Sequence, residues 1–170
     1  KDFLNNRSLK YRGSISSPNT AFKAGSRMSV HLAWGTISIR EVFQKTILRI
    51  ENLKKENTIA SKRWARSLQS FLSRIHWHDH FIQRLESQPS MEFKSLNYAY
   101  NKIPYKNNPE HLEAWLKGNT GYPMIDACMR CLQETGFINF RMRSMVTSFA
   151  CHVLHLDWRY IMHPLGNLFL

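Results

Sequence analysis

The sequence predicts an all-α fold, a helical bundle, and three observations carry that reading. Apolar residues recur at three- and four-residue spacings through most of the chain. No segment alternates apolar and polar residues as a half-buried strand does, and there is no internal repeat. Capping and turn residues stand between the periodic runs, where a bundle reverses direction.

Residues 1–25 are basic and rich in Ser, Asn and Gly without a period, and they read as an extended segment and loop. Ser26 then caps a helix holding Met28, Val30, His31, Leu32 and Trp34, which Gly35 ends. Ser38 caps the next, over 39–51, with Val42, Phe43, Thr46, Ile47 and Ile50 on one face, and 54–57 is a charged loop. A longer helix over 61–87 carries Trp64, Leu68, Phe71, Leu72, Ile75, Phe81, Ile82 and Leu85 until Pro89 closes it. Residues 91–108 are aromatic and polar without a period, a long loop. Pro109 opens a short helix to 116, stopped by Gly118.

Thr120-Gly121-Tyr122-Pro123 is a turn: Gly tolerates positive φ and Pro pre-sets φ. Behind it Met124, Ala127, Cys128 and Cys131 fall at i, i+3, i+4 and i+7, with Ile125, Met129 and Leu132 widening the stripe. A break at Thr135-Gly136 leads to a second helix with Ile138, Met142, Met145, Phe149 and Val153, interrupted by Arg141 and Arg143. Arginines in a run that looks buried call for an anionic partner, a carboxylate or a phosphate. His163-Pro164-Leu165-Gly166 ends the last turn. The helical body is expected to occupy 26–170 as one domain.

A chain of 170 residues with 43% hydrophobic content can bury a real core, which excludes a disordered tail. No stretch approaches the ~20 apolar residues of a membrane span. The net charge of +12, from 24 Lys and Arg against 12 acids, favours a polyanion such as nucleic acid. Lys62, Arg63, Arg66, Arg74 and Arg84 are candidates for that basic face. Three cysteines give no disulfide framework, so a reducing, cytoplasmic compartment is expected. Cys128 and Cys131 form a C-x-x-C inside a predicted helix with no second pair, which points to packing rather than metal. His76 and His80, one turn apart, lack a third ligand at motif spacing, and no metal is expected.

The stretch 119–159 also carries a resemblance. Gly121, Tyr122, Pro123, Asp126, Ala127, Met129, Arg130, Leu132, Gly136, Arg141, Arg143, Ser148, Phe149, Asp157, Trp158 and Arg159 stand in register with the FAD-binding helical domain of the DNA photolyase/cryptochrome family. The resemblance runs from about Tyr11 onward. It reaches neither the family's amino-terminal antenna domain nor its Asp-x-Asp and Asn segment, so the chain is expected to be part of a longer protein.

The resemblance implies FAD as cofactor, a bent dinucleotide with its diphosphate near Ser26 and its ring system near Arg143. Gly25-Ser26-Arg27-Met28-Ser29 is similar to the family's Thr-Ser-x-Leu-Ser diphosphate grip, with Gly25 in the Thr position. Ser26, Ser29 and the Met28 backbone are then phosphate contacts, and Tyr11 is similar to an upstream flavin-contacting Tyr. The helix that lines the substrate cavity in the family corresponds to 71–81. It places Phe71 and Trp77 at its two aromatic positions, with Trp77 stacking on a flipped lesion. Arg74 replaces a Glu or Gln there, and His78 replaces an Arg. Phe137 to Arg143 is similar to Trp-x-His-Asn-Arg-x-Arg. Asn139 stands at the His position, Phe140 at that of the Asn beside flavin N5, and Arg143 at the flavin-contacting Arg. Arg130 is expected to bind a carboxylate such as Asp126, four residues earlier. Trp158 corresponds to the middle tryptophan of the photoreduction relay and Tyr105 to the distal one.

The implied activity is light-driven electron transfer from reduced FAD to a pyrimidine dimer in DNA, that of a deoxyribodipyrimidine photo-lyase. The alternatives are a cryptochrome-like photosensor that binds FAD without repair, and a basic helical fragment with no enzymatic role.

Overall fold

The structure, a computed structural model, describes residues 1–169, and among them there are helices and no strand. The chain divides into two compact units, Lys1–Pro89 and Ser90–Leu170.

The first unit is built on two long helices, α5 (Ile39–Glu56) and α6 (Ile59–Ser87). Ser38 caps α5 by accepting from the Arg40 N–H, and Asn57 ends it in the left-handed conformation at φ 51°. Helix α5 therefore runs through the expected charged loop. Thr58 and Ser61 form a reciprocal capping box that starts α6. Val42, Thr46, Ile50 and Leu53 on α5 and Leu68, Phe71, Leu72 and Ile75 on α6 supply buried faces at helical spacing. Each fully buried Leu here stabilises by about 1.5–3 kcal/mol. The α6 stripe is buried only as far as Ile75; Trp77, Phe81, Ile82 and Leu85 are exposed.

Residues 1–25 are not extended. They form α1 (Asp2–Asn5), a 3-10 turn (Arg7–Lys10), α2 (Tyr11–Ser14) and α3 (Pro18–Ala24). Phe3 and Tyr11 bury their rings against Phe71, at 4.8 and 5.5 Å between centroids. Tertiary burial holds turns too short to be helical alone. The segment predicted to start at Ser26 is shorter than expected: α4 spans Ser29–Ala33, with Met28 at its N-cap position and no side-chain capping bond. Gly35 follows it at φ +65°.

The second unit packs α7 (Pro109–Lys117), α8 (Pro123–Thr135), α9 (Phe140–His152) and α10 (Trp158–Gly166) around Trp115, Met129, Leu132, Val146, Leu156 and Ile161. Trp115 is fully enclosed and donates its indole N–H to the Val146 carbonyl at 3.2 Å. On α8 the buried line is Ile125, Cys128, Met129 and Leu132, while Met124 and Ala127 turn outward. The predicted loop at 91–108 contains 3-10 turns at Pro89–Glu92 and Tyr98–Lys102. No helix among the described residues is long and apolar enough to cross a membrane.

Candidate functional site

In the first unit the loop between α3 and α4 gathers Gly25, Ser26, Arg27, Met28 and Ser29. Its backbone is held from outside: Arg7 donates to the Gly25 carbonyl, and Gly25 N–H donates to Ala21 O at 2.7 Å. A Cβ at position 25 would stand 2.8 Å from that Ala21 oxygen, so this path of the chain excludes a threonine there. The lost hydroxyl is thus a consequence of close backbone packing. Ser26 Oγ accepts from the Met28 N–H at 3.4 Å, and Ser29 is exposed at the first residue of α4. Arg27 sits at φ 57°, a left-handed conformation that costs a non-glycine residue about 1 kcal/mol. Its guanidinium donates to Phe22 O at 3.0 Å. With five residues α4 contributes little dipole, so the serine hydroxyls carry most of what this loop offers an anion.

On α2 and α6 of the same unit, Arg12, Arg66, Gln69, Ser70, Ser73 and Arg74 line an open groove of about 440 Å³. Three arginines with hydroxyl and amide neighbours favour a phosphate-bearing ligand. Sequence reasoning placed Arg66 and Arg74 on a basic face but missed Arg12, because nothing in its local sequence says that α2 lies against α6. Arg74 is exposed, and its charge opposes the upward push that burial gives the Tyr11 phenol. Tyr11 and Phe71 themselves are 5% exposed and engage each other edge to face in the core. They form the apolar backing beneath the Arg74 turn rather than its open surface. Along α6, Trp77 packs against Phe81 at 5.8 Å and stays half exposed, while His78 Nδ1 lies 3.5 Å from Asp79.

In the second unit the expected partners of the arginines change. Arg130 donates to the Gly118 carbonyl at 2.5 Å rather than pairing with Asp126. Asp126 instead accepts from Thr120 N–H, Thr120 Oγ1–H and Gly121 N–H, at 2.8, 2.6 and 3.0 Å, pinning the turn to α8. Arg141 faces solvent and needs no buried anion. Arg143 is half buried: its Nε donates to Ile138 O at 3.4 Å, and its guanidinium carbon lies 4.1 Å from the Phe169 ring centroid. No carboxylate among the described residues is within ion-pair distance of it. Burial pushes its guanidinium below the ordinary value. Asn139 is buried and caps α9 by accepting from Met142 N–H at 3.0 Å, whereas Phe140, the next residue, is 73% exposed. The one-residue shift along the chain thus separates a cap from an outward ring.

At the start of α10, Asp157 accepts its own cap bond from Arg159 N–H and a two-point contact from the Arg159 guanidinium. Burial raises the Asp157 pKa, but these donors outweigh it and hold the carboxyl below its usual range. Asn107 Oδ1 accepts from Asp157 N–H at 2.9 Å and Lys106 N–H donates to His155 O at 3.1 Å, stitching the loop that carries Tyr105 to the loop before Trp158. Burial, then the Asp157 charge, raises the Tyr105 phenol. Cys128 is buried and Cys131 partly buried, as free thiols within α8.

Residues 71–170 match the family model described as the FAD binding domain of DNA photolyase. The chain is 34% identical over 140 residues to a deoxyribodipyrimidine photo-lyase of Neurospora crassa, covering 82% of this chain and 22% of that protein. It is 31% identical over 161 residues to cryptochrome-1 of Arabidopsis thaliana, covering 93% of this chain and 22% of that protein. A crystal structure of a bacterial class III photolyase from Agrobacterium tumefaciens superposes with a TM-score of 0.79 at 29% identity, over 98% of this chain and 34% of that one. The chain therefore spans 22% of the length of each of these two curated relatives and 34% of the class III photolyase chain. With its model match over more than half its length and helices throughout, the chain belongs to the DNA photolyase/cryptochrome family, through that family's FAD-binding domain.

Proposed function

We propose that this chain is the flavin-holding part of a light-driven enzyme that repairs pyrimidine dimers in DNA. The observation that carries the reading is the half-buried Arg143, its Nε tied to the Ile138 carbonyl, inside the segment matched to the FAD-binding domain. The donor sets suit the cofactor. The Ser26 and Ser29 hydroxyls match a diphosphate, with the Met28 N–H holding the Ser26 oxygen so that its proton points away and the packed Gly25 backbone fixing the loop, and the planar Arg143 matches an electron-rich ring. Arg74, His78, Asn139 and Phe140 stand at the remaining positions that the family pattern assigns to the cofactor, each with a different side chain from the family's, and Asn139 acts through the start of α9 that it caps.

The chemistry FAD would supply, were it held by these residues in reduced form, is light-driven donation of one electron to a pyrimidine dimer, with return of the electron after ring opening. This chain's own residues do the rest. Arg12, Arg66 and Arg74 hold phosphates by charge-assisted hydrogen bonds. The exposed Trp77 ring offers a stacking face to an unstacked base, and its neighbour Phe81 keeps that ring in place. Tyr11 and Phe71 back the Arg74 turn and exclude water beneath it. Trp158 and Tyr105, held by the stitched loops around Asp157, give an oxidisable path for refilling the flavin's electrons.

Titration of the intact protein with FAD tests the first step. A structured blue absorption band and quenched flavin fluorescence are expected, and free-flavin behaviour throughout would overturn flavin binding. Illumination with a reductant and dimer-containing DNA is expected to restore thymine absorbance. The cation at Arg74 and the ring at Phe140, in place of the family's usual groups, favour a second reading, a photosensor. Bound, reducible flavin without thymine recovery would select it.

A further inference from the structure

Both backbone polar groups of Gly25 are engaged inside the first unit. Its N–H donates to Ala21 O at 2.7 Å, and its carbonyl accepts from Arg7 Nη1. Arg7 is held in turn. Its Nε donates to Asp2 Oδ2 at 2.5 Å, and its guanidinium carbon lies 5.7 Å from the centroid of the buried Phe3 ring. Asn6 Nδ2 donates to the other Asp2 oxygen at 3.1 Å. Two residues beyond Gly25, Arg27 is left-handed at φ 57° and donates to the Phe22 carbonyl at 3.0 Å. Ser26 therefore stands between two clamped positions. A left-handed non-glycine residue persists where surrounding contacts over-determine it. The Ala21 and Phe22 contacts are local, four and five residues away, whereas Arg7 reaches the loop across 18 positions of sequence.

We propose that Arg7 is a positioning residue for the anion-binding loop: by holding the Gly25 carbonyl it fixes the backbone from which the Ser26 hydroxyl meets a diphosphate. This rests on the reading that Ser26 and Ser29 take the diphosphate of FAD. The physical reason is pre-organisation. A loop ordered only when the ligand arrives subtracts its conformational entropy from the affinity, and a loop fixed beforehand does not. Arg7 suits this task because its charge is already paired with Asp2, so it brings a directed donor more than a field. The competing role is through-space attraction of the anion by the Arg7 charge. The two roles respond differently to salt. Attraction between separated charges fades beyond a screening length of about 3 Å at 1 M salt, while a fixed loop geometry does not.

The test compares Arg7→Met, which keeps bulk against Phe3 but has no donor, with Arg7→Lys, which restores a charged donor of similar reach. Affinities for FAD, ADP and riboflavin are read by calorimetry on the intact protein after removal of any bound flavin; riboflavin lacks the diphosphate. Urea unfolding checks that both variants fold. The methionine variant should bind FAD and ADP about tenfold more weakly, the size of one lost hydrogen bond to a charged group. Its riboflavin affinity should match wild type, and the lysine variant should recover most of the loss. The ratio of wild-type to methionine affinity should hold from about 0.1 M to about 1 M salt. Without ligand, the Gly25 N–H should exchange with water faster in the methionine variant. Wild-type ADP affinity in the methionine variant, or a loss that vanishes at high salt, would overturn the proposal. An equal loss for riboflavin would also overturn it, by showing a general folding defect. If wild type binds neither FAD nor ADP, the parent reading fails and the proposal with it, an outcome told apart because it appears before any substitution is made.

Discussion

The indole N–H of Trp64 donates to the Ser8 hydroxyl at 2.8 Å, across 56 positions of sequence. Ser67, one turn further along α6, donates to the Ser8 carbonyl at 2.6 Å and accepts from the Arg12 N–H at 3.0 Å. Two neighbouring side chains of α6 thereby satisfy the irregular backbone of the N-terminal turns. Arg12, which lines the basic groove, is set in place by the same serine.

Replacing Ser67 by Ala would leave a buried carbonyl and an N–H without partners, since Ser67 is 2% exposed. A loss of about 1–3 kcal/mol is expected from its two hydrogen bonds, read as a lower urea midpoint at unchanged m-value. An unchanged midpoint would mean that the N-terminal turns are not docked through this contact.

Asp126 contributes to the acid limb of stability, as Asp157 does. Burial would raise its pKa, but the Thr120 and Gly121 donors and the nearby Arg130 charge bring it below the ordinary 3.8. A carboxyl depressed on folding stabilises fully above the ordinary value, and that stabilisation is lost as pH falls through the lower folded value. Asp126→Ala should therefore cost about 1–3 kcal/mol near neutrality and flatten the stability curve below pH about 4. Urea midpoints measured across that range check both parts.

Gly118 ends α7 at φ +64°, and a Cβ there would come 2.7 Å from the Asp126 carbonyl oxygen and 3.0 Å from Arg130 Cγ. Gly118→Ala combines left-handed strain with a backbone clash, and about 2–3 kcal/mol of destabilisation is expected. A thermal melt of the variant within 1–2 °C of wild type would contradict this packing.

If the groove on α2 and α6 holds phosphates, Arg12→Ala and Arg66→Ala should each lower the slope of log affinity against log salt by about 1. Affinity should fall for all DNA sequences alike. Measuring binding across a salt series separates this from a folding defect, which would leave the slope unchanged.

Trp158→Phe should largely abolish light-driven reduction of bound flavin, and Tyr105→Phe should slow it less, followed by absorbance under blue light. Equal photoreduction in wild type and both variants would remove these residues from the relay.

The local code was sufficient for much of the architecture. The 3.6-residue period located α5, α6, α8 and α9, while Ser38, Pro109, Gly118 and Gly136 marked the start of α5, both ends of α7 and the end of α8, because helix formation and capping depend on neighbours a few positions away. The spaced residues from Gly121 to Arg159 were sufficient for the family. Position in space was another matter. No period announces the turns of 1–25, since their stability comes from burying Phe3 and Tyr11 against Phe71, contacts that exist only after the chain has folded back. The same holds for the partner of each arginine. Arg130's sequence neighbours suggested Asp126, but tertiary packing supplied the Gly118 carbonyl, and among the described residues it set Arg143 against the Ile138 carbonyl and the Phe169 ring. Helical periodicity fixes which side chains share a face, and only the closure of long-range contacts decides what that face meets.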